Sequence, residues 1–399
     1  WQRQLENSFD YKETDDQLAA VADIKNDLYR PRPMDRLLVG DVGFGKTEVA
    51  LRAAFKVAHD SQQVALLVPT TILAEQHFHL FKSRLEAFPI RVEILSRTVD
   101  KDRQRDIITN VENGQVDILI GTHRLLSKDV VFKNLGLLII DEEHRFGVEQ
   151  KEKLKKVRAE VDCLSLSATP IPRTLHMALT KIRDVSLLTR APVGREPIAT
   201  KVGETDWDQV KLAIDQELNR SGQTFFLSNR VATIAAKAQK IRELVPFARV
   251  EYAHGQMNEL QLEKTMNLLY EGKIDVLVCT TIIGSGLDVP NVNTIIVENA
   301  HKFGLADLYQ LRGRVGRSER EAHAYLFYPK GYQPEGPAAQ RLLAISQATE
   351  LGSGFKIANQ DLEIRGAGNM LGAAQSGNIS LVGFELYVQL LSQAVENLK

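Results

Sequence analysis

Residues 35–55 read DRLLVGDVGFGKTEVALRAAF. The apolar opening has the pattern of a strand, and Glu48 to Phe55 have the spacing of an amphipathic helix. Between them lies Gly40-Asp41-Val42-Gly43-Phe44-Gly45-Lys46-Thr47, in which four residues separate a Gly from a following Gly-Lys-Thr. A strand, such a loop and a helix in that order form a phosphate-binding loop. Glycines such as Gly43 and Gly45 let backbone N–H groups close around phosphate oxygens, and a helix N-terminus favours the anion. Lys46 is expected to reach the β- and γ-phosphates and Thr47 to ligate Mg²⁺. These residues imply an α/β fold that takes ATP with Mg²⁺.

Working outward, the alternation of short apolar runs and longer helical patterns continues from about residue 36 to 187. The strand candidates are DRLLVGD, QVALLVPT, RVEILS, VDILIGT, LGLLIIDEEH and CLSLSAT. Uninterrupted apolarity within them implies burial on both faces, as in a parallel sheet. The helices TEVALRAAFKVAHD and ILAEQHFHLFKSRLEAF supply crossovers. TRAPVGREP, with two prolines and a glycine, breaks the pattern. The alternation then restarts with TFFLSN, RVEYAHG, IDVLVCTT, TIIVENA and AYLFYP, and breaks again at YQPEGP. Beyond lie a helix (AAQRLLAISQAT), a glycine-rich loop region (LEIRGAGNMLGAAQSGN) and a final helical run. We therefore expect a first domain over 1–190, a linker over 191–199, a second domain over 200–335 and a helical appendage over 336–399. No internal repeat is visible in the sequence, although the two domains could share a fold.

Bulk composition narrows little further. Of 399 residues, 44% are hydrophobic and 25% charged, an ordinary globular balance. The formal net charge of −1 gives no hint of nucleic acid, which needs only one basic face. The two cysteines, Cys163 and Cys279, lie in strand-like runs and read as buried, reduced thiols, which fits a cytoplasmic protein. No apolar stretch approaches the roughly 20 residues of a membrane span. The chain opens at Trp1 without an initiator methionine, so a segment of a longer protein is expected.

Two further clusters bear chemistry. Asp141-Glu142-Glu143-His144 ends the most apolar strand, at the sheet edge where ligands bind in such folds. Asp141 would hold Mg²⁺ and Glu142 would polarise the attacking water. Glu143 and His144 could relay between ATP and a neighbouring motif. Some 270 residues beyond the loop, Gln310-Leu311-Arg312-Gly313-Arg314-Val315-Gly316-Arg317 places Arg314 and Arg317 three apart, on one face of an expected helical turn. Cations supplied by a second domain can offset charge on a transferring phosphoryl group. A nucleotide touched by both elements would sit between two domains, as in a motor.

The motifs and their order resemble superfamily 2 helicases and translocases, which carry two RecA-like domains. The resemblance implies two tandem RecA-like parallel-sheet domains with a C-terminal helical hairpin and loop. Phe9 and Thr14-Asp15-Asp16-Gln17 are similar to the adenine-recognition segment, with Gln17 as the base contact. Glu48 and Asp288 fall within its nucleotide-binding motifs. Pro69-Thr70-Thr71 and Gly121-Thr122-His123-Arg124 resemble nucleic-acid motifs of the first domain, as Thr280 and Thr281 do of the second. Ser167-Ala168-Thr169-Pro170 is similar to the motif that couples the ATP and DNA sites, a role the resemblance extends to His144 and Gln310.

More narrowly, GDVGFGKTEVA, DEEHRFGV, SATPIPRT, HGQM, FGLADLYQLRGRVGRS and LEIRGAG…LG…QSG resemble the bacterial transcription-repair coupling factors. The last segment is similar to a translocation motif shared with RecG branch-migration helicases; its counterparts include Arg365 and Gln375. RecG-type proteins usually read GSGKT, DEQH and LRGPG, whereas this chain has Phe44, Glu143 and Ala367. The resemblance implies an ATP-dependent translocase, a monomer, that moves along double-stranded DNA. Contacts with RNA polymerase and nucleotide-excision-repair proteins would run through modules this segment lacks. The family usually has a Glu where this chain has Gly284, which predicts weaker coupling between DNA contact and hydrolysis. A RecG-like branch-migration helicase and a non-catalytic ATP-gated binding module are the alternatives.

Overall fold

The computed structural model describes residues 4–5, 12–168, 183–192, 194–281, 289–316 and 320–365, apart from the side chains of Glu259, Phe355, Leu362 and Arg365. Phe9, Thr169, Gly284, Asp288, Arg317 and Gln375, the Arg365 side chain and the last expected helix lie outside that description. The described residues fall into two compact units that divide between Pro192 and Gly194.

The first unit runs α1 (Asp15–Leu28), β1 (Asp35–Gly40), α2 (Lys46–His59), β2 (Gln63–Leu67), α3 (Thr71–Leu85), β3 (Val92–Leu95), α4 (Lys101–Glu112), β4 (Ile118–Gly121), β5 (Leu135–Asp141), α5 (Val148–Arg158), β6 (Asp162–Ser167) and β7 (Asp184–Leu188). Its seven strands are all parallel, in the order β3-β4-β2-β5-β6-β1-β7. The strands with unbroken apolar sequences lie inside. Val64 to Leu67, Ile118 to Ile120 and Leu137 to Ile140 are each 3% exposed or less. Both faces of the sheet are covered, as helical crossovers require.

The second unit runs β8 (Ala199–Glu204), α6 (Trp207–Asn219), β9 (Gln223–Leu227), α7 (Val231–Leu244), β10 (Val250–Ala253), α8 (Glu259–Tyr270), β11 (Val276–Cys279), β12 (Val292–Val297), α9 (Leu305–Arg312) and β13 (His323–Tyr328). Its parallel sheet has the order β10-β11-β9-β12-β13-β8. Two further helices, α10 (Gly336–Gln347) and α11 (Gly354–Arg365), belong to it. Arg312 at the end of α9 donates to the carbonyls of Ile345 (3.2 Å) and Ala348 (2.6 Å), satisfying the C-terminal end of α10.

Although no repeat shows in the sequence, the two units share details as fine as single hydrogen bonds. Six strands of each sheet follow the same order, with β8 in the place of β1 and β9 in that of β2. Before β2 and β9, Ser61 and Ser221 both adopt the left-handed conformation, with φ of 62° and 56°. Gln63 and Gln223 then open their strands, and each amide reaches two carbonyls, those of Val111 and Val116 and those of Leu269 and Ile274. The units differ where β1 and β8 end. After β1 comes the glycine-rich loop, whereas after β8 Asp206 caps α6 through Asp208 N–H at 2.9 Å. A carboxylate at that helix start suits a fold-stabilising cap and opposes an anionic phosphate. Only the first unit therefore carries the phosphate loop.

Three local expectations change. The strands β7 and β8 are not legible as strands, because exposed residues interrupt them and they close sheet edges. Leu362 to Arg365, expected within a loop, end α11. The helix before Arg314 stops at Arg312, and Gly316 has φ of 74°, so no helical face continues through Arg314. Both cysteines are free and buried; burial pushes the Cys163 thiol up to about 11, though Arg158 and Arg183 pull the other way. Among the described residues no helix is long and apolar enough to cross a membrane.

Candidate nucleotide and nucleic-acid site

Strand β6 is inserted between β1 and β5. Val39 pairs with Ser167 and Asp141 with Leu166, so the ends of the three strands are level. At roughly 4.8 Å per strand, the phosphate loop and the Asp141–Glu142 carboxylates stand about two strand spacings apart at one sheet edge. Ser167, 6% exposed, ends the strand between them.

The loop owes its shape to two residues that adopt the conformation only glycine takes without strain. Gly43 and Gly45 have φ of 81° and 80°. Gly45 is the N-cap of α2 and brings no side-chain cap, unlike Asp206 in the second unit. The Lys46 ammonium donates to the carbonyls of Gly40 (2.5 Å) and Asp41 (2.9 Å) within the loop. Gln17 packs against it from α1. Its amide donates to the carbonyl of Phe44 at 2.9 Å, and a Cβ at Gly45 would collide with it. Glu48, one residue beyond Thr47, accepts from Arg84 of α3 at 3.5 Å.

Asp141 ends β5 with its Oδ2 3.1 Å from Nε2 of His77, a buried residue of α3. Glu142 follows at φ 50° and ψ 48°, a left-handed turn that a non-glycine residue adopts only at a cost. Its side chain is 4% exposed and lies 3.2 Å from Nδ1 of His144. Glu143 turns the opposite way into a polar network. Its Oε2 accepts from Arg158 (2.6 Å), Arg183 (3.1 Å) and the Ser165 hydroxyl (3.0 Å). Burial acts to raise its pKa, but the two guanidiniums outweigh it and hold the carboxyl down at about 2. Glu143 is thus a fixed anion joining β5, α5, β6 and the start of β7. Neither this network nor His77 has a signature in local spacing.

In the first unit, the residues expected to meet nucleic acid follow the C-terminal ends of β2 and β4, at the same sheet edge, but in different states. Thr70 is the N-cap of α3, its hydroxyl accepting from Leu73 N–H at 3.4 Å, and Thr71 begins that helix. Thr122 is 3% exposed and precedes a short helical turn, His123–Leu126. Arg124 is committed to a two-point pair with Asp129 at 2.7 and 2.5 Å, while the ring of His123 lies 3.2 Å from Arg97. In the second unit Thr280 and Thr281 follow β11, half-buried and exposed respectively. Gln310 is buried at 6% exposure and Arg314 at 2%.

The residues present fit a nucleoside triphosphate with Mg²⁺. A glycine-capped helix start and an adjacent ammonium suit phosphate. A threonine hydroxyl and a carboxylate are hard oxygen donors suited to Mg²⁺, which takes few protein ligands and completes its shell from phosphate and water. Among the described residues no group of three or more His, Cys, Asp or Glu able to hold a metal occurs.

Comparison with known proteins agrees with this fold. Residues 14–178 match the DEAD/DEAH box helicase family and residues 208–319 the helicase conserved C-terminal domain. The transcription-repair-coupling factor of Bacillus subtilis is 57% identical over 398 residues, covering 100% of this chain and 34% of the relative. Its Haemophilus influenzae counterpart is 52% identical, covering 100% and 35%. Along its whole length the chain matches transcription-repair-coupling factors. It spans about a third of the length of these family members. Among solved structures, RecG bound to a three-way DNA junction superposes with a TM-score of 0.79 at 36% identity, covering 98% of this chain and 52% of that one. The Mycobacterium smegmatis helicase Lhr, at 19% identity and a TM-score of 0.66, covers 88% and 50% and shares the fold. The chain described here is a superfamily 2 helicase-type protein built from two parallel α/β units.

Proposed function

We propose that this chain is the ATP-driven motor segment of a transcription-repair coupling factor, which moves along double-stranded DNA and displaces stalled RNA polymerase during repair. The observation that carries the proposal is the level placement of the Lys46 loop and the Asp141–Glu142 pair at one edge of the first sheet. Loop amides and Lys46 hold the phosphates, Thr47 and Asp141 hold Mg²⁺, and Gln17 meets the base. Bound Mg²⁺ would neutralise charge on the phosphate oxygens. Glu142 orients and polarises the attacking water, and Arg314 and Arg317 stabilise charge on the transferring group. Thr70, Thr71, Thr122, His123, Arg124, Thr280 and Thr281 engage the backbone of one strand, which positions without reading sequence. Ser167, Thr169, His144 and Gln310 couple the two sites, and Arg365 and Gln375 pass the motion to the duplex.

The RecG structure, which covers 98% of this chain, favours one second possibility, branch migration. Steady-state ATPase measurements with linear duplex, three-way junction and single-stranded RNA separate the two, paired with displacement of a triplex-forming strand. A translocase is stimulated by linear duplex and removes the third strand. Stimulation confined to the junction would favour branch migration, and no stimulation by any DNA would defeat both.

A further inference from the structure

His77 lies on α3, six residues past Thr71 and 64 residues from its partner Asp141. Its Nε2 is 3.1 Å from Asp141 Oδ2, with the two side chains 7% and 14% exposed. An ionised carboxylate only accepts, so the imidazole carries its proton on Nε2 and donates. The ring also meets Phe81, one turn along the same helix, whose fully buried ring stands edge-on at 6.3 Å between centroids. Helix α3 is thereby fastened to the carboxylate that ends β5. The same helix begins at Thr70 and Thr71 and, near its far end, places Arg84 at 3.5 Å from Glu48, next to Thr47. One rigid rod thus touches both sides of the nucleotide site, and its N-terminus carries two residues of the proposed DNA face. A helix rises about 1.5 Å per residue, so Thr71 and His77 are about 9 Å apart and move together.

We propose that His77 is a positioning residue: it holds the Asp141 carboxylate in its metal-binding orientation and, through α3, makes that orientation respond to DNA at Thr70 and Thr71. Donors to a ligating carboxylate set its direction and basicity, and their loss typically weakens metal binding about 10–100-fold. The inference rests on the assignment of Asp141 to Mg²⁺. A residue that merely filled space between α3 and β5 would alter unfolding but not metal affinity.

The test uses Mn²⁺ as a paramagnetic probe, binding to the full 399-residue chain with ADP being followed by electron paramagnetic resonance. Three substitutions are compared. His77→Gln places an amide donor near the position of Nε2, His77→Asn is polar but too short, and His77→Met is apolar and of similar bulk. The expected result is Mn²⁺ binding weakened at least about tenfold in His77→Asn and His77→Met, and within about threefold of wild type in His77→Gln. ADP affinity in EDTA should be equal in all. Duplex DNA should shift the Mn²⁺ affinity of wild type and His77→Gln, and shift that of His77→Asn much less. If His77→Met does not fold, the Gln and Asn variants decide the matter. Asp141→Asn is the control for the underlying assignment. Loss of Mn²⁺ binding there, with wild-type affinity in His77→Asn, overturns the role of His77 alone. Wild-type affinity in Asp141→Asn overturns the metal assignment itself. A DNA-induced shift of equal size in wild type and His77→Asn, or none in wild type, overturns the link through α3.

Discussion

The side-chain amide of Gln17 donates to the carbonyl of Phe44 at 2.9 Å, while its oxygen accepts from the backbone N–H of Thr14 at 3.1 Å. The Thr14 hydroxyl in turn accepts from the backbone N–H of Gln17 at 3.3 Å, closing a capping box at the start of α1. One buried side chain therefore joins a helix cap to the phosphate loop, and whatever binds near Gln17 is felt at Gly45. Replacing it with alanine leaves the Phe44 carbonyl and the Thr14 N–H without this partner, at a cost of about 1–2 kcal/mol. We expect Gln17→Ala to raise the KM for ATP more than it lowers kcat, and to lower the melting temperature of the nucleotide-free protein. Kinetics paired with thermal unfolding checks both; an unchanged KM would remove Gln17 from the nucleotide site.

Glu142 holds a conformation that costs a non-glycine residue about 1–2 kcal/mol, with φ 50° and ψ 48°. Such strain at a strand end persists where the side chain is needed. Glu142→Gly should relieve it and unfold at a higher temperature than Glu142→Ala. Neither variant should turn ATP over, and Glu142→Gln should lose at least about 10²-fold in kcat while still binding nucleotide. Retained turnover in Glu142→Gln would mean that another group activates the water.

How much of this was legible follows from where each residue finds its partner. The inner strands declare themselves by unbroken apolar runs, whereas β7 and β8 are edge strands with exposed residues and carry no such signal. Lys46, Thr47, Asp141 and Glu142 stand in local patterns tied to a strand end, so the chain itself displays them. His77, Ser165 and Arg183 find their carboxylates 64, 22 and 40 residues away, and only the parallel crossovers bring those pairs together. Arg314 shows the reverse failure: spacing suggested a helical face, but the chain leaves the helix at Arg312.

The anion of Glu143 is expected to govern acid stability. Its carboxyl lies at about 2 when folded, against an ordinary value of 4.5. A depressed folded-state value adds stability that is complete above pH 4.5 and is lost as the pH falls toward 2. The contribution is at most about 3 kcal/mol, reduced by the 26% exposure of the side chain. Glu143→Gln, neutral throughout, should be less stable than wild type at pH 7, with the gap closing between pH 4.5 and 2. Glu143→Ala should cost more, about 3–5 kcal/mol, because Arg158 and Arg183 are left without their shared carboxylate. Urea unfolding across that pH range measures the gap, and a constant difference would mean that the carboxylate charge does not stabilise the fold.

Gln63 and Gln223 permit a matched experiment, because each does the same structural work in its own unit. The Gln63 amide donates to Val111 and Val116 carbonyls, both at 2.9 Å, and its oxygen accepts from Asn134 N–H at 3.0 Å. Gln223 donates to Leu269 at 2.8 Å and Ile274 at 2.6 Å. Each side chain is 5% exposed or less, so leucine at either position leaves buried carbonyls unsatisfied, at about 1–3 kcal/mol. Neither residue contributes to the proposed chemistry. Gln63→Leu should lower the stability of the unit that carries the phosphate loop, and bound ATP should restore part of the loss by mass action. Gln223→Leu should destabilise the second unit by a similar amount. Proteolysis followed by mass spectrometry reports which unit opens first, and opening of the same unit in both variants would show that the two do not unfold separately.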